Sequence, residues 1–495
     1  MAHFSVNHHG SAINYRMIWR ILGQLLIVEA AFMLLPLAVS AYYGEKDFLP
    51  FLLILLLTLA SGMTMNMLIR PEKHSLRRRD GMLLASVAWV MFSLFGMLPY
   101  IFASPHLDVS EAFFETMSGF TTTGATVIRD VESCGKGLLL WRALTQWIGG
   151  LGIVLFTLTF IPSLNNNGSL MLFHAEATGI THDKLAARIS RTAKKLWALY
   201  SVFSLVLVLM LWVGPMNLFD SFCHAMSTIS TGGFSTKNDG IAAYHSPYIK
   251  SVLTIFMFIG GVSFGLIIAS MKNSWRLFWK NDVFRYYVSL IALLFMMIVC
   301  AILALNHFSG WQSISIDPLF HIVSAMTSTG FSAGDWEGWG VLVLTLTFFM
   351  MYVGACAGST TGGAKVDRLV YLVKNFVLVV RQYVRPRLLR SVNVNGQSMN
   401  SEKDNEVVAF LFIYSMLIVV GGVVLVAEGF PIVDAFFSSV SCISNNGLGA
   451  GVTGIMGSYD FLPAFGKWVM SLLMLAGRLE IITLFALMVP DFWRK

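Results

Sequence analysis

Four short polar segments interrupt an otherwise apolar chain: Thr122-Thr123-Gly124-Ala125, Ser230-Thr231-Gly232-Gly233, Ser328-Thr329-Gly330-Phe331 and Asn445-Asn446-Gly447-Leu448. Each sets glycine behind small residues that carry a hydroxyl or amide oxygen. Glycine reaches φ > 0 without a Cβ clash, so the carbonyls beside it can converge. Converging carbonyl oxygens replace the hydration shell of a cation. The side-chain oxygens of Thr122, Thr123, Ser230, Thr231, Ser328, Thr329, Asn445 and Asn446 can add ligands or brace the backbone. The chemistry indicated is cation dehydration, with no covalent step.

One such cluster alone would read as a packing interface of small residues between membrane helices. Four at related positions are an internal repeat. Anchored on Gly124, Gly232, Gly330 and Gly447, the copies stand 108, 98 and 117 residues apart. Ten residues before each glycine lies a phenylalanine: Phe114, Phe222, Phe320 and Phe437. An acid, Glu111, Asp220, Asp317 or Asp434, opens each preceding segment, where a carboxylate caps a helix and complements its dipole better than it serves as an ion ligand. A helix of about ten residues rises only ~15 Å, half of a ~30 Å hydrocarbon layer. The expected element is a re-entrant pore helix followed by a polar filter strand, buried where it meets the membrane.

These segments need a scaffold, and composition names it. The 495 residues are 56% hydrophobic and 12% charged, with a mean hydropathy of +0.70. That excludes an ordinary soluble domain. Apolar stretches recur near 19–43, 49–69, 82–104, 137–162, 196–217, 248–271, 286–305, 338–353, 405–428 and 463–489, and they do not alternate as barrel strands would. The expected fold is an all-α polytopic membrane protein with two extra N-terminal spans and four units of span, pore helix and span. The boundaries are 1–80, 81–195, 196–285, 286–404 and 405–495.

Lys and Arg gather at 70–80, 183–195, 272–280 and 381–390, whereas 306–335 and 429–462 hold none. The positive-inside rule then places both termini in the cytoplasm, with Met1 to Arg20 a retained tail and no signal peptide. The basic loops serve equally as topology signals and as a surface for a cytosolic regulator. Cys134, Cys223, Cys300, Cys356 and Cys442 are scattered, implying neither a disulfide framework nor a zinc site. The sequon at 167–169 falls on the cytoplasmic side and is read as chance.

The second span of each unit carries a small-residue patch: WIGGLG (147–152), FIGGVS (258–263), YVGACAG (352–358) and LAGRLE (475–480). In the third unit Gly354, Gly358, Gly362 and Gly363 with Ser359, Thr360, Thr361 and Lys365 must break the helix, since each glycine costs ~1 kcal/mol there. In the fourth, Arg478 stands where insertion costs about 2.5–3.5 kcal/mol. Two roles are open to it: a cation lining the pore, or a structural pair with Glu480 or another unit's acid. His224 and His321 read as packing and hydrogen-bonding groups rather than proton carriers.

The four segments, together with GACAGSTTGGAKVDR at 354–368 and AGRLE at 476–480, resemble the Trk/Ktr/HKT superfamily of potassium transporters, most closely the TrkH/TrkG-type membrane subunit of bacterial Trk uptake systems. The resemblance covers nearly the whole chain. It implies K⁺ as the transported ion, bound at the four filter segments, and uptake that is channel-like or coupled to Na⁺ or H⁺. It further implies a pseudo-fourfold pore, a homodimer in a bacterial inner membrane, and a cytoplasmic TrkA-type nucleotide-binding regulatory ring. On the same resemblance the 354–365 loop is a gate and Arg478 lies on the conduction path. Ser444 and Ala125 depart from the usual pattern and bear on ion preference. The competing classes are an alternating-access carrier built of inverted repeats and a less selective Na⁺/K⁺ channel. With no HExxH, Walker A loop or nucleophile elbow in the sequence, no enzymatic activity and no organic cofactor are expected.

Overall fold

A computed structural model describes residues 13–69, 78–152, 189–272, 274–305, 310–385, 392–398, 401–454 and 457–493. The ends of the chain, the sequon and part of each basic segment lie outside these residues. Among those described, six helices are long and apolar enough to cross a membrane: Tyr15–Tyr43, Phe48–Leu68, Arg79–Phe102, Thr192–Val213, Asp282–Ala304 and Asp404–Ala427. They are the two N-terminal spans and the first span of each unit. The two N-terminal helices cross closely because Gly23 meets Gly62, where a Cβ would stand 2.7 Å from the Gly23 carbonyl. The first of them ends at Gly44, left-handed with φ 66°.

Four short helices follow the first spans: Val109–Phe120, Leu218–Ile229, Ile316–Met326 and Ile432–Ile443. At 11 or 12 residues they rise less than ~20 Å. Their starts are set by local chemistry. Asp108 and Glu111 form a reciprocal capping box, and Asn217 accepts from the Asp220 N–H. The four acids therefore sit in the first turn rather than at the cap position itself. Their carboxylates reach outward: Glu111 takes Lys467 at 2.9 Å, Asp220 takes Thr236 at 2.7 Å, Asp317 takes Lys250 at 2.7 Å and Asp434 takes the Val452 N–H at 3.1 Å.

The second spans of units 1, 2 and 4 differ from the expectation of continuous helices, and that of unit 3 breaks where expected. Pro247–Gly260 and Phe264–Lys272 meet at 90°, and Ala464–Arg478 and Ile482–Met488 at 113°. Lys136–Gly150 ends at its own patch, with 153–162 outside the described residues, and Val341–Val353 gives way to the 354–365 loop before Val366–Val384. The cause is packing. A Cβ on Gly149 would overlap the Phe120 carbonyl, and one on Gly477 the Ile443 carbonyl, so the first and fourth patches lie flat against the ends of their pore helices, whereas Gly260 and Gly261 meet the side chains of Thr231, Tyr287 and Thr327 and Gly354 meets Gly362 of its own loop. All four small-residue patches are thus break points, and only the third was legible as one.

The second helix of each unit packs on the pore helix of the next: 136–150 on 218–229, 247–260 on 316–326, 341–353 on 432–443, and 464–478 back on 109–120. The last contact closes a ring of four. A two-residue antiparallel ladder, Asn393–Val394 with Gln397–Ser398, supplements the helices. The cysteines stay free.

Candidate ion pathway

Every pore helix ends in the same way. The N–H groups of Thr123, Gly232, Thr329 and Asn446 return to the carbonyls of Ser118, Ser227, Ser324 and Ser441 at 2.8, 2.8, 3.0 and 2.9 Å. The residues before those donors, Thr122, Thr231, Ser328 and Asn445, are left-handed with φ of 57°, 55°, 48° and 52°. The glycines after them have φ of 82°, 82°, 77° and 81°, and they are Gly124, Gly233, Gly330 and Gly447. Gly232 is therefore not the equivalent of the other three anchors; the second unit reads one residue later. The repeat of phenylalanine misleads there. Phe222 is 38% exposed whereas Phe114, Phe320 and Phe437 are buried, and Cys223 fills the equivalent buried place. With Gly233 as anchor, the acid falls 13 residues before every glycine and a serine six before, a signal present in the sequence.

These ends form one closed ring. A Cβ added to Gly124 would strike the Gly232 carbonyl, on Gly233 the Thr329 carbonyl, on Gly330 the Asn446 carbonyl, and on Gly447 the Thr123 carbonyl. Four backbone carbonyls, one from each unit, thus stand against four glycines in cyclic order. The ring floors a surface depression that continues to Arg129 and Lys237. Other residues expected beside the glycines turn away. The Ala125 and Phe331 carbonyls accept from Ser118 and Ser324 of their own pore helices at 2.6 and 2.8 Å. Leu448 is buried.

Bracing groups that the sequence reading missed stand behind the ring. Nine residues before each glycine lie Glu115, His224, His321 and Ser438. Glu115 accepts from Thr126 Oγ1 at 3.0 Å and the Val127 N–H at 2.8 Å, and pairs with Arg142 at 2.9 Å, both side chains being at most 2% exposed. Arg142 also donates to the Ser235 carbonyl of the second unit at 3.1 Å. Charges inside apolar stretches were the available signal. His224 Nε2 lies 3.0 Å from Ser235 Oγ, and His321 Nε2 lies 2.8 Å from Thr347 Oγ1 while the ring stacks on Trp336. Both histidines are held as packed, hydrogen-bonded groups. Above the ring, a 2.9 Å hydrogen bond from Asn238 holds the Asp130 carboxyl below its ordinary value.

Below it lies the 354–365 loop, left-handed at Gly354, Gly358, Gly363 and Lys365. Thr360 Oγ1 stands 3.2 Å from Thr231 Oγ1, and the Gly362 N–H donates to Ser328 Oγ at 2.7 Å. Gly362 is pressed against the Ser444 carbonyl. Ser359 Oγ lies 2.8 Å from Thr361 Oγ1, and Lys365 Nζ donates to the Thr361 carbonyl. Arg478 donates to the carbonyls of Thr360 at 3.0 Å, Gly149 at 2.5 Å and Gly150 at 2.7 Å. Glu480 pairs with Arg368. Unit 3 supplies the loop, unit 4 the arginine, and units 1 and 2 their anchoring oxygens.

A family model described as TrkH, cation transport protein, matches residues 51–495. The Trk system potassium uptake protein TrkH of Escherichia coli (strain K12) is 32% identical over 98% of this chain and 100% of its own length. That of Vibrio parahaemolyticus (serotype O3:K6, strain RIMD 2210633) is 34% identical, again over 98% and 100%. The crystal structure of the potassium transporter TrkH from Vibrio parahaemolyticus superposes with a TM-score of 0.88 at 31% identity, covering 97% of this chain and all of the other. The family is one of transporters rather than enzymes, and the chain, a multi-pass helical membrane protein, belongs to the TrkH family of cation transport proteins.

Proposed function

We propose that this protein takes K⁺ up across the inner membrane of a bacterium, through a filter formed by the carbonyls of Thr123, Gly232, Thr329 and Asn446. The observation that carries this reading is the closed ring in which each of those carbonyls meets the glycine of a neighbouring unit. Carbonyl oxygens in such a ring substitute for water around a cation. The C-terminal ends of four pore helices add partial negative charge at the same level. Fixed backbone conformation keeps the oxygens in place without an ion, because left-handed glycines and the serine carbonyls six residues before them hold each strand at both ends.

The 354–365 loop acts as the gate, and Arg478 locks it by spanning Thr360 and the Gly149–Gly150 carbonyls. A guanidinium beneath the filter opposes the approach of a cation until it moves. Control comes from the cytoplasmic side, where both termini lie, through a TrkA-type nucleotide-binding ring docked on the basic loops of a homodimer. The cyclic contact of four units in one orientation favours a pore over a rocking carrier of inverted repeats. Rb⁺ uptake into liposomes, with Na⁺ and proton gradients varied separately, tests the reading. Competition by K⁺ but weakly by Na⁺ is expected; equal competition contradicts the potassium assignment. Uptake that follows a Na⁺ or proton gradient identifies a co-ion.

A further inference from the structure

The residue preceding each ring carbonyl carries a side-chain oxygen and is forced into the left-handed region: Thr122, Thr231, Ser328 and Asn445. A β-branched threonine there is costly, since few non-glycine residues adopt φ > 0. The left-handed conformation recurs in all four units, yet the side chains do different things. Ser328 Oγ accepts from the Gly362 N–H at 2.7 Å, and Thr231 Oγ1 meets Thr360 Oγ1 at 3.2 Å. Asn445 Nδ2 donates to Thr123 Oγ1 at 3.1 Å and to the Met474 carbonyl at 2.9 Å, while its Oδ1 has no hydrogen-bond partner among the described residues. Thr122 Oγ1, buried, has no hydrogen-bond partner among the described residues. Only the second and third units, side by side in the ring, offer their oxygens to the loop.

Resting on the gate reading above, we propose that Ser328 and Thr231 are a latch: filter residues whose side chains hold the loop shut. The loop bonds to itself through Ser359 with Thr361 and Lys365 with the Thr361 carbonyl, and it carries three left-handed glycines and the left-handed Lys365. Its seat against the filter comes from neighbours. Those neighbours are Ser328 and Thr231 above, Arg478 at the side, and the carbonyls of Ile229 and Gly260, which Thr360 Oγ1 approaches at 3.2 and 3.3 Å. Gly362 lies so close to the Ser444 carbonyl that no side chain fits, which brings its N–H within reach of Ser328. Arg478 pins the loop from a different unit and reports the arrangement of the second spans. The latch ties the loop to the filter strands themselves, so withdrawal of the loop frees two oxygens directly under the ring.

A native thiol reads the loop's position: Cys356 is buried within it, its N–H donating to the Gly261 carbonyl at 3.1 Å. The test compares alkylation of Cys356, quantified on its peptide in full-length protein in liposomes, with Rb⁺ flux in the same preparation. Ser328→Ala removes the acceptor from the filter side, and Thr360→Ala removes the contact from the loop side with the filter intact. Losing one hydrogen bond is expected to raise the Cys356 alkylation rate roughly two- to tenfold, with flux rising in parallel. Alkylation at the parent rate in both variants would overturn the latch. Deletion of 359–361 separates this from the gate: raised flux keeps the gate even if the latch fails, and unchanged flux removes both.

Discussion

Units 1 and 3 and units 2 and 4 share one backbone but are braced differently. In the first pair the strand after the pore helix supports itself: Ser118 and Ser324 bond the Ala125 and Phe331 carbonyls, and Thr121 with Thr123, like Thr327 with Thr329, sit 2.8 Å apart. In the second pair Ser227 and Ser441 make no such bond, and support comes from neighbours. Gln146 of unit 1 donates to the Gly232 carbonyl at 2.6 Å, and Asn446 reaches the Ala325 carbonyl of unit 3 at 2.7 Å. The ion bridges alternate too. Lys250 and Lys467 stand at matching positions of the second spans of units 2 and 4 and meet Asp317 and Glu111, the acids of units 3 and 1, while units 1 and 3 carry Leu139 and Leu344 there. Fourfold geometry thus resides in the backbone, and the side chains that fix it have become twofold. An ion reads only carbonyl positions, so nothing requires the four walls behind them to be alike.

The largest effect should come from the two adjacent glycines of unit 2. Gly233→Ala forces a left-handed alanine and drives its Cβ into the Thr329 carbonyl, so Rb⁺ uptake should fall at least ~100-fold, the left-handed strain alone being about 1–2 kcal/mol. Gly232→Ala keeps an ordinary φ and presses on the buried Gln146 side chain rather than on backbone, so it should lose less flux than Gly233→Ala. The reverse order would restore the Gly232 register. Next in size is Gln146→Met, which gives unit 1 the residue found at the matching place in the others, Met257, Met351 and Met474. It strips a donor from the Gly232 carbonyl and an acceptor from the Phe234 N–H, and should cost about 1–3 kcal/mol in thermal unfolding.

Ser118→Ala should cost about 1 kcal/mol, whereas Ser227→Ala, whose hydroxyl has no partner among the described residues, should change stability little. Equal losses would mean that the strands are braced alike. The smallest effect is expected of Lys250→Met: its partly exposed pair with Asp317 is worth under about 1 kcal/mol, and the loss should shrink further in high salt.

Apolar stretches, the four segments and the loop at 354–365 were legible because each leaves a compositional mark. The register of unit 2 was not. Gly232 and Gly233 are chemically identical and Phe222 supplied a false match, which outweighed the acid and serine spacings that single out Gly233; backbone φ separates the two glycines outright. The breaks after Gly260 and Arg478 were also hidden, since a glycine pair in an apolar helix reads equally as close packing. What distinguishes them lies outside the segment: the Ile443 carbonyl against Gly477, and Thr231, Tyr287 and Thr327 against Gly260 and Gly261. Arg478 announced itself as a charge in an apolar segment, but its partners include the carbonyls of Thr360, Gly149 and Gly150, which no side-chain pattern reveals. The pair of Glu115 and Arg142 could have been found in the same way, each being a charge within an apolar segment.

The central claim is that the ring itself holds the cation. Diffraction from crystals of the full-length protein grown in Rb⁺, recorded at the rubidium edge, tests it most directly. The account predicts an anomalous peak between the carbonyls of Thr123, Gly232, Thr329 and Asn446, weakened by added K⁺ and retained in excess Na⁺. An ordered ring with no peak, and rubidium bound elsewhere in the protein, would contradict it.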